Sequence, residues 1–396
     1  MGPEPVQLDV FPLVFRVGQE TEFVVEPKSA TQRLPEGEYR CYVHPKTSSG
    51  GPVAVPAEWG SDGRVRFRYT AEARGEISLL LEFPGGRRHR LTNVFALEPE
   101  MAGLLPLRGD FHTHTWHSDG RSSPGDLLEA GWALGLDFMA ITDHDNRAGT
   151  EEALSVAERL PILVLPGEEV SFDRGHLVAV GTRAAVRGRD SGPAVEAELA
   201  RIQAELGERG EDEDFAQRYA KAVWAARRIR SLGGLAILAH PFWVTGGEFH
   251  LDRLVGRQLC LDGEVDAVEL IGEVEFEDNL LSVAQYMEFL REGRSLPVVG
   301  NSDTHGVSHT LGWYWTVVFA ESLDAESVIA AVKAGRSVAC IRMPGESLGI
   351  YGPLELVEYA YFLSRHYFPV QDRLHAQGGP GSAVSDYRDR CLGRGK

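Results

Sequence analysis

The sequence predicts an α/β chain: a closed or nearly closed barrel of alternating strands and helices, preceded by a small all-β sandwich. Three observations carry this expectation. From residue 6 to about 98, short alternating apolar runs are separated by Gly, Pro and Asn, the texture of a sandwich whose strands turn one face inward. Beyond Gly109, apolar runs of strand length alternate with amphipathic helical stretches, which implies parallel strands. At 396 residues the chain is too long for one ordinary core, and the length favours a barrel over the alternative, a doubly wound sheet.

In chain order, the sandwich strands are expected at 21–25, 38–43, 64–69, 76–83 and 91–97, and 99–108 reads as a linker. Barrel strands are expected at 109–114, 138–142, 162–165, 176–180, 235–239, 267–271, 297–300, 315–319 and 337–341. Helices fall between them, as at 124–134, where Ser122 or Ser123 can cap and Pro124 can occupy the first turn. Between 184 and 233 lies a helical insertion, 193–206 and 214–231, joined by the charged run 208–214; its helices can serve as a lid. After a helix at 353–367, the Gly-rich polar tail 378–396 is expected to be mobile. The divisions that follow are 1–100, 107–345 and 346–396.

Composition narrows the function. Hydrophobic content of 43% with 25% charged residues is that of a globular protein, and a net charge of −18 argues against a broad basic surface for nucleic acid. The N-terminus shows no export signal and no stretch reaches the roughly 18 apolar residues of a membrane span, so the cytoplasm is the expected address and no membrane partner is expected. Cys41, Cys260, Cys340 and Cys391 are too scattered for a disulfide framework or a zinc ribbon. A homo-oligomer is compatible with all of this.

Five motifs carry candidate chemistry. In Asp110-Phe111-His112-Thr113-His114, residues two apart on a strand point the same way, so His112 and His114 can grip one cation. Asp119 follows in a turn, and His117 is an extra histidine able to donate a proton or to lie idle on the surface. His144 stands between Asp143 and Asp145, acids that can receive its other ring proton or hold neighbouring groups, and both are candidate catalytic residues with His117. In Pro166-Gly167-Glu168-Glu169, one carboxylate can bridge two ions; Glu169 is favoured and Glu168 is its nearest competitor. His176, His240 and the pair Asp303 and His305 complete the set, each beside an apolar strand. An isolated histidine in any of these places is ordinarily a core or surface residue. Of thirteen histidines, however, six sit at strand ends of the α/β region, where a barrel brings distant residues to one rim.

The series HTH with Ser118-Asp119-Gly120, then TDHD, PGEEVS, GHL, AHP and SDTH, resembles the polymerase and histidinol phosphatase (PHP) signature over about 109–341. With its preceding β module, the chain is also similar to a carbaryl-hydrolase-like branch. The resemblance implies a distorted (β/α)7 TIM-like barrel and two or three divalent ions, zinc, manganese or iron. It assigns His112, His114, Glu169 and Asp303 to one ion, Glu169, His176 and His240 to a second, and Asp119, His144 and His305 to a third. Mixed imidazole and carboxylate ligands suit such ions better than calcium or magnesium.

The function so implied is hydrolysis of a small phosphomonoester or phosphodiester by a hydroxide held between ions. A second reading is hydrolysis of an amide, carbamate or ester on the same cluster; a third is a metal-binding scaffold without catalysis. Arg121, Arg147 and Arg174 lie close in sequence to the motifs and are candidates to meet phosphate. Trp243 and Trp224 are candidate pocket walls.

Overall fold

A computed structural model describes residues 7–394 apart from 30, 48, 187–191, 209–211, 275 and 379–380; parts of the charged run 208–214 and of the C-terminal tail thus lie outside the described residues. The chain divides into two compact units, Met1–Leu104 with Glu358–Lys396, and Leu105–Val357.

In the first unit nine strands form one sheet. Its order is Leu8–Phe11, Thr21–Pro27, Val65–Tyr69, Val53–Trp59, Tyr39–Pro45, Gly75–Glu82, Val94–Leu97 and Val14–Arg16, with Arg88–Arg90 added against Gly75–Glu82. Alternate residues are buried, among them Phe23, Val25, Cys41, Val43, Ile77, Leu79 and Leu81, and Phe23 stacks on Phe67 at 5.0 Å. The C-terminal residues belong to this unit. Tyr359 and Phe362 pack on Phe95 at 5.4 and 5.2 Å, and Leu13 N–H donates to Cys391 O at 2.8 Å. The tail expected to be mobile contains the helix Gly381–Cys391, which buries Val384 and Cys391; an average over a glycine-rich stretch conceals those two anchors.

In the second unit ten strands form one sheet, in the order Val298–Gly300, Ala267–Ile271, Leu235–Leu238, Gly175–Val180, Leu163–Phe172, Phe138–Ile141, Leu105–Asp110, Tyr314–Ala320, Ser337–Ile341 and Gly349–Tyr351. The ends approach one another: Gly300 N–H donates to Thr316 Oγ1 at 3.0 Å and Ser337 Oγ to Val298 O at 2.8 Å, so the sheet is a nearly closed, distorted barrel. The strands are not all parallel as the alternation implied. Gly175–Val180 runs antiparallel to both neighbours, and Tyr314–Ala320 likewise. The first reversal follows from a two-residue turn at Asp173-Arg174, too short for a crossover, with Asp173 at φ 47°.

Helix Glu213–Ser231 is not a lid. Its Ala216, Tyr219, Ala220, Val223 and Ile229 share one apolar cluster with Val170, Leu177 and Leu238 of the strands, so it covers the barrel wall. Trp224 belongs to the same cluster and lines no site. All four cysteines are free and buried.

Candidate metal centre

The site grows from the ends of the barrel strands. Strand Leu105–Asp110 lies so close to Phe138–Ile141 that a Cβ on Gly109 would collide with the Phe138 ring. The strand begins earlier than the linker reading allowed and ends at Asp110, so His112 and His114 stand on an extended continuation. Thr113 bridges to Thr304, and His114 N–H donates to Thr304 O at 2.9 Å. Period two still holds. Thr113 Oγ1 turns away to Ala140 O at 2.7 Å, while both imidazoles face inward and are fully buried.

Glu169 is the hub. It lies within the strand Leu163–Phe172, which runs through the motif rather than ending before it. Adjacent strand residues face opposite ways, which separates the two acids: Glu168 accepts Val186 N–H at 2.9 Å, and Glu169 faces the histidines. Its Oε2 lies 3.1 Å from His112 Nε2, 3.1 Å from His114 Nε2 and 3.2 Å from His144 Nδ1. Its Oε1 lies 2.9 Å from His176 Nδ1 and 3.1 Å from His240 Nε2. Asp303 Oδ1 approaches His112 and His114 Nε2 at 3.2 and 3.0 Å. Asp119 Oδ2 lies 3.3 Å from His305 Nε2 and 3.6 Å from His144 Nε2. His240 and Asp303 adopt left-handed backbone, φ 24° and 46°, an uncommon conformation for residues with a Cβ that gathers at functional sites.

These residues fit divalent cations on a direct test. His112 Nε2, His114 Nε2 and Asp303 Oδ1 are buried without a hydrogen-bond partner, although they face one another closely. Each such atom costs roughly 1–3 kcal/mol, and a cation among them satisfies all three. Donor atoms of His112, His114, Glu169 and Asp303 converge within 4.8 Å, as do those of His114, Asp119, His144 and His305, and those of His144, Glu169 and His176. Without a cation, protons hold the cluster together. Burial alone would lower the His114 pKa, but the close approach of the Asp303 and Glu169 carboxylates carries it to about 10. Burial opposes the charge on Glu169, yet His112 and its neighbours hold that carboxyl well below its usual range.

The three candidate catalytic residues, His117, Asp143 and Asp145, are each engaged by protein partners. Asp143 is fully buried and accepts from Thr115 N (2.8 Å), Thr115 Oγ1 (2.7 Å) and Ser118 Oγ (2.7 Å). A Cβ on Gly149 would strike its carboxylate, so it fastens the loop carrying His114 and Asp119. Asp145, at φ 45°, accepts Ser171 N–H at 3.1 Å. His117 points to Glu152 at 2.6 Å, outside the converging groups. Arg147 is engaged by Thr182 Oγ1 at 2.7 Å and Arg174 by Glu248 at 3.0 Å. Arg121 lies at the rim, its N–H donated to His305 O at 2.9 Å.

Four contributors escaped the sequence reading. Glu269 accepts from His112 Nδ1 at 3.0 Å and from Asn301 Nδ2 at 2.9 Å, which aims His112 Nε2 into the cluster. Its signal was a lone acid in an otherwise apolar strand, a place that demands a partner. Asp110 accepts His112 N–H and Ser302 N–H, both at 3.1 Å, and burial pushes its carboxyl up to about 7. Glu273 and His309, 3.1 Å apart, form a further converging group with His305.

A nearly closed α/β barrel whose rim gathers imidazoles and carboxylates into several converging groups defines the class of metal-dependent hydrolases. Residues 110–230 match the PHP domain model; the match does not reach the narrower carbaryl-hydrolase-like branch. The chain is 27% identical over 186 residues to a 5'-3' exoribonuclease of Haemophilus influenzae, covering 33% of this chain and 68% of that one. It is 37% identical over 76 residues to a 3',5'-nucleoside bisphosphate phosphatase of Chromobacterium violaceum, 18% of this chain but only 27% of the relative. A solved two-domain protein from Bacteroides vulgatus, described as containing a predicted PHP-like metal-dependent phosphoesterase, aligns with a TM-score of 0.47 at 18% identity, over 67% of this chain and 71% of its own. Among the described residues no helix is long and apolar enough to cross a membrane.

Proposed function

We propose that the chain hydrolyses a small phosphomonoester or phosphodiester, with zinc, manganese or iron ions held by the residues the motifs named. His112, His114, Glu169 and Asp303 would hold one ion, Glu169, His176 and His240 a second, and Asp119, His144 and His305 a third. The observation that carries this reading is the hub itself: Glu169 turns one oxygen to His112 and His114 and the other to His176 and His240, the disposition of a carboxylate shared between two neighbouring ions. When bound, such ions favour deprotonated water and neutralise charge on a phosphate.

The protein's own groups orient and restrain. Glu269 fixes the ring of His112, Asp143 fastens the turn that carries His114 to Asp119, and the left-handed backbone at His240 and Asp303 aims those side chains at the hub. Arg121 contributes positive charge at the rim and is the group proposed to meet a phosphate oxygen. The relatives favour phosphoester over amide or carbamate chemistry.

The test sets p-nitrophenyl phosphate, bis-p-nitrophenyl phosphate, an aryl carbamate and labelled single-stranded RNA side by side, before and after chelation, with elemental analysis of the protein. Chelator-sensitive turnover of a small phosphate ester is expected. Turnover of the carbamate alone overturns the proposal, RNA digestion alone moves it to a nuclease, and metal-loaded protein inert toward all four leaves a scaffold.

A further inference from the structure

A cleft of about 610 Å³ opens beside the cluster in the second unit, lined in part by Trp243, Glu273, His309, Trp313, Tyr314 and Ile341. It begins at the cluster. The Trp243 ring stands 5.1 Å from that of His240 and 6.5 Å from that of His176. The His309 ring stands edge-on to His305 at 6.4 Å, and His309 Nε2 meets Glu273 Oε1 at 3.1 Å. A phosphate seated among the ligands would therefore have the cleft as neighbouring space for the rest of its ester.

We propose that this cleft receives the alcohol portion of the substrate and selects a flat, apolar, uncharged group. The inference rests on the phosphoesterase reading and adds a substrate class to it. Two indoles and a phenol ring supply broad faces, and an aromatic guest gains both buried area and ring contacts against them. Val244 stands 41% exposed at the same wall, apolar surface that a guest of this kind covers.

Charge points the same way. Among the described lining residues there is no Lys or Arg; the ionisable pair is Glu273 and His309. Glu273 is held in place by Thr310 Oγ1, which donates to its Oε2 at 2.8 Å. A second phosphate on the alcohol would thus meet the Glu273 side chain and, among the described lining residues, no Lys or Arg to pair with it. The cleft is built for an alcohol without a second anionic group, unlike the bisphosphate named for the Chromobacterium relative.

Binding separates this inference from the activity it rests on. Calorimetry on metal-loaded protein would compare phenylphosphonate with methylphosphonate, neither of which is hydrolysed. Phenylphosphonate is expected to bind about tenfold more tightly or better. Trp243→Ala and Trp313→Ala should each erase most of that advantage with methylphosphonate unchanged, and Trp313→Phe, which keeps a flat ring, should retain much of it. In turnover, kcat/KM for phenyl phosphate should exceed that for glycerol 2-phosphate and for a bisphosphate. Equal binding of the two phosphonates, equal loss of both in the Trp variants, or preference for the bisphosphate would each overturn the inference. Tight, Trp-dependent phenylphosphonate binding without hydrolysis of any phosphate ester would uphold the cleft and sink the phosphoesterase reading instead.

Discussion

Glu76 in the first unit and Glu169 in the second are both carboxylates drawn out of water and surrounded by donors, and they differ in what surrounds them. Glu76 takes Lys46 at 2.8 Å, Arg365 at 2.7 Å and Asn93 Nδ2 at 2.5 Å, with a single imidazole, His366, farther off at 3.5 Å. Glu169 takes five imidazoles. An ammonium or guanidinium keeps its proton at every relevant pH and offers no lone pair, so Lys46 and Arg365 answer the charge of Glu76 without a metal ion. An imidazole can exchange its proton for a metal ion. The same burial of a negative charge thus makes a structural tie in one unit and a cation site in the other.

The comparison breaks most visibly if the ligands of the second unit prove dispensable. Asp303→Ala or His112→Ala is expected to lower metal-dependent turnover by roughly three orders of magnitude, with bound metal reduced on elemental analysis and circular dichroism little changed. Wild-type turnover in either variant would place the chemistry elsewhere.

The next effect is smaller because it acts through a ligand. Glu269→Gln removes the charged acceptor from His112 Nδ1 and should weaken metal affinity about 10–100-fold. Titration of the metal-free variant with zinc or manganese reads this directly, and an unchanged affinity would reduce Glu269 to packing.

Asp143→Asn sharpens the distinction between positioning and proton transfer. An amide there keeps an acceptor for Thr115 N–H, so turnover should fall several-fold with the shape of the pH profile retained. Loss of one limb of that profile would instead return Asp143 to proton transfer.

What the sequence made legible follows from these physical distinctions. The HTH and SDTH pairs could be read because period two on extended backbone is a local rule, and Glu169 could be preferred for bridging because a carboxylate has two oxygens. Asp143 and Asp145 stood out because they flank a histidine, but which groups they hold was not legible, since their hydrogen bonds to Thr115, Ser118 and Ser171 join segments distant in sequence. Glu273 and His309 enter through tertiary proximity that no local pattern announces, and Glu269 was marked only as a lone acid in an apolar strand, with no sign of its partner. The reversal at Asp173-Arg174 was hidden for another reason: buried antiparallel strands are as apolar as parallel ones, so direction must be read from the length of the connection. The C-terminal helices were hidden by composition, since Val384 and Cys391 are too few to lift a polar average.

The smallest effect belongs to the first unit, and its sign is fixed by the direction of one shift. Burial opposes the charge on Glu76, but hydrogen bonds from Arg365, Lys46 and Asn93 hold its carboxyl at about 2, against an ordinary value of 4.5. A carboxyl lowered by folding stabilises the folded state at pH values above its unfolded pKa, and that contribution drains away as pH falls from 4.5 through about 2. Glu76→Gln should therefore cost roughly 1 kcal/mol near neutrality, a modest figure because solvent reaches Lys46 and Arg365 and screens the contact. Urea denaturation of wild type and variant across pH should show their difference constant above about pH 5.5 and closing toward zero in strong acid. A gap that stayed open at pH 2 would mean that shape rather than charge holds Glu76 in place, and the contrast with Glu169 would then rest on the second unit alone.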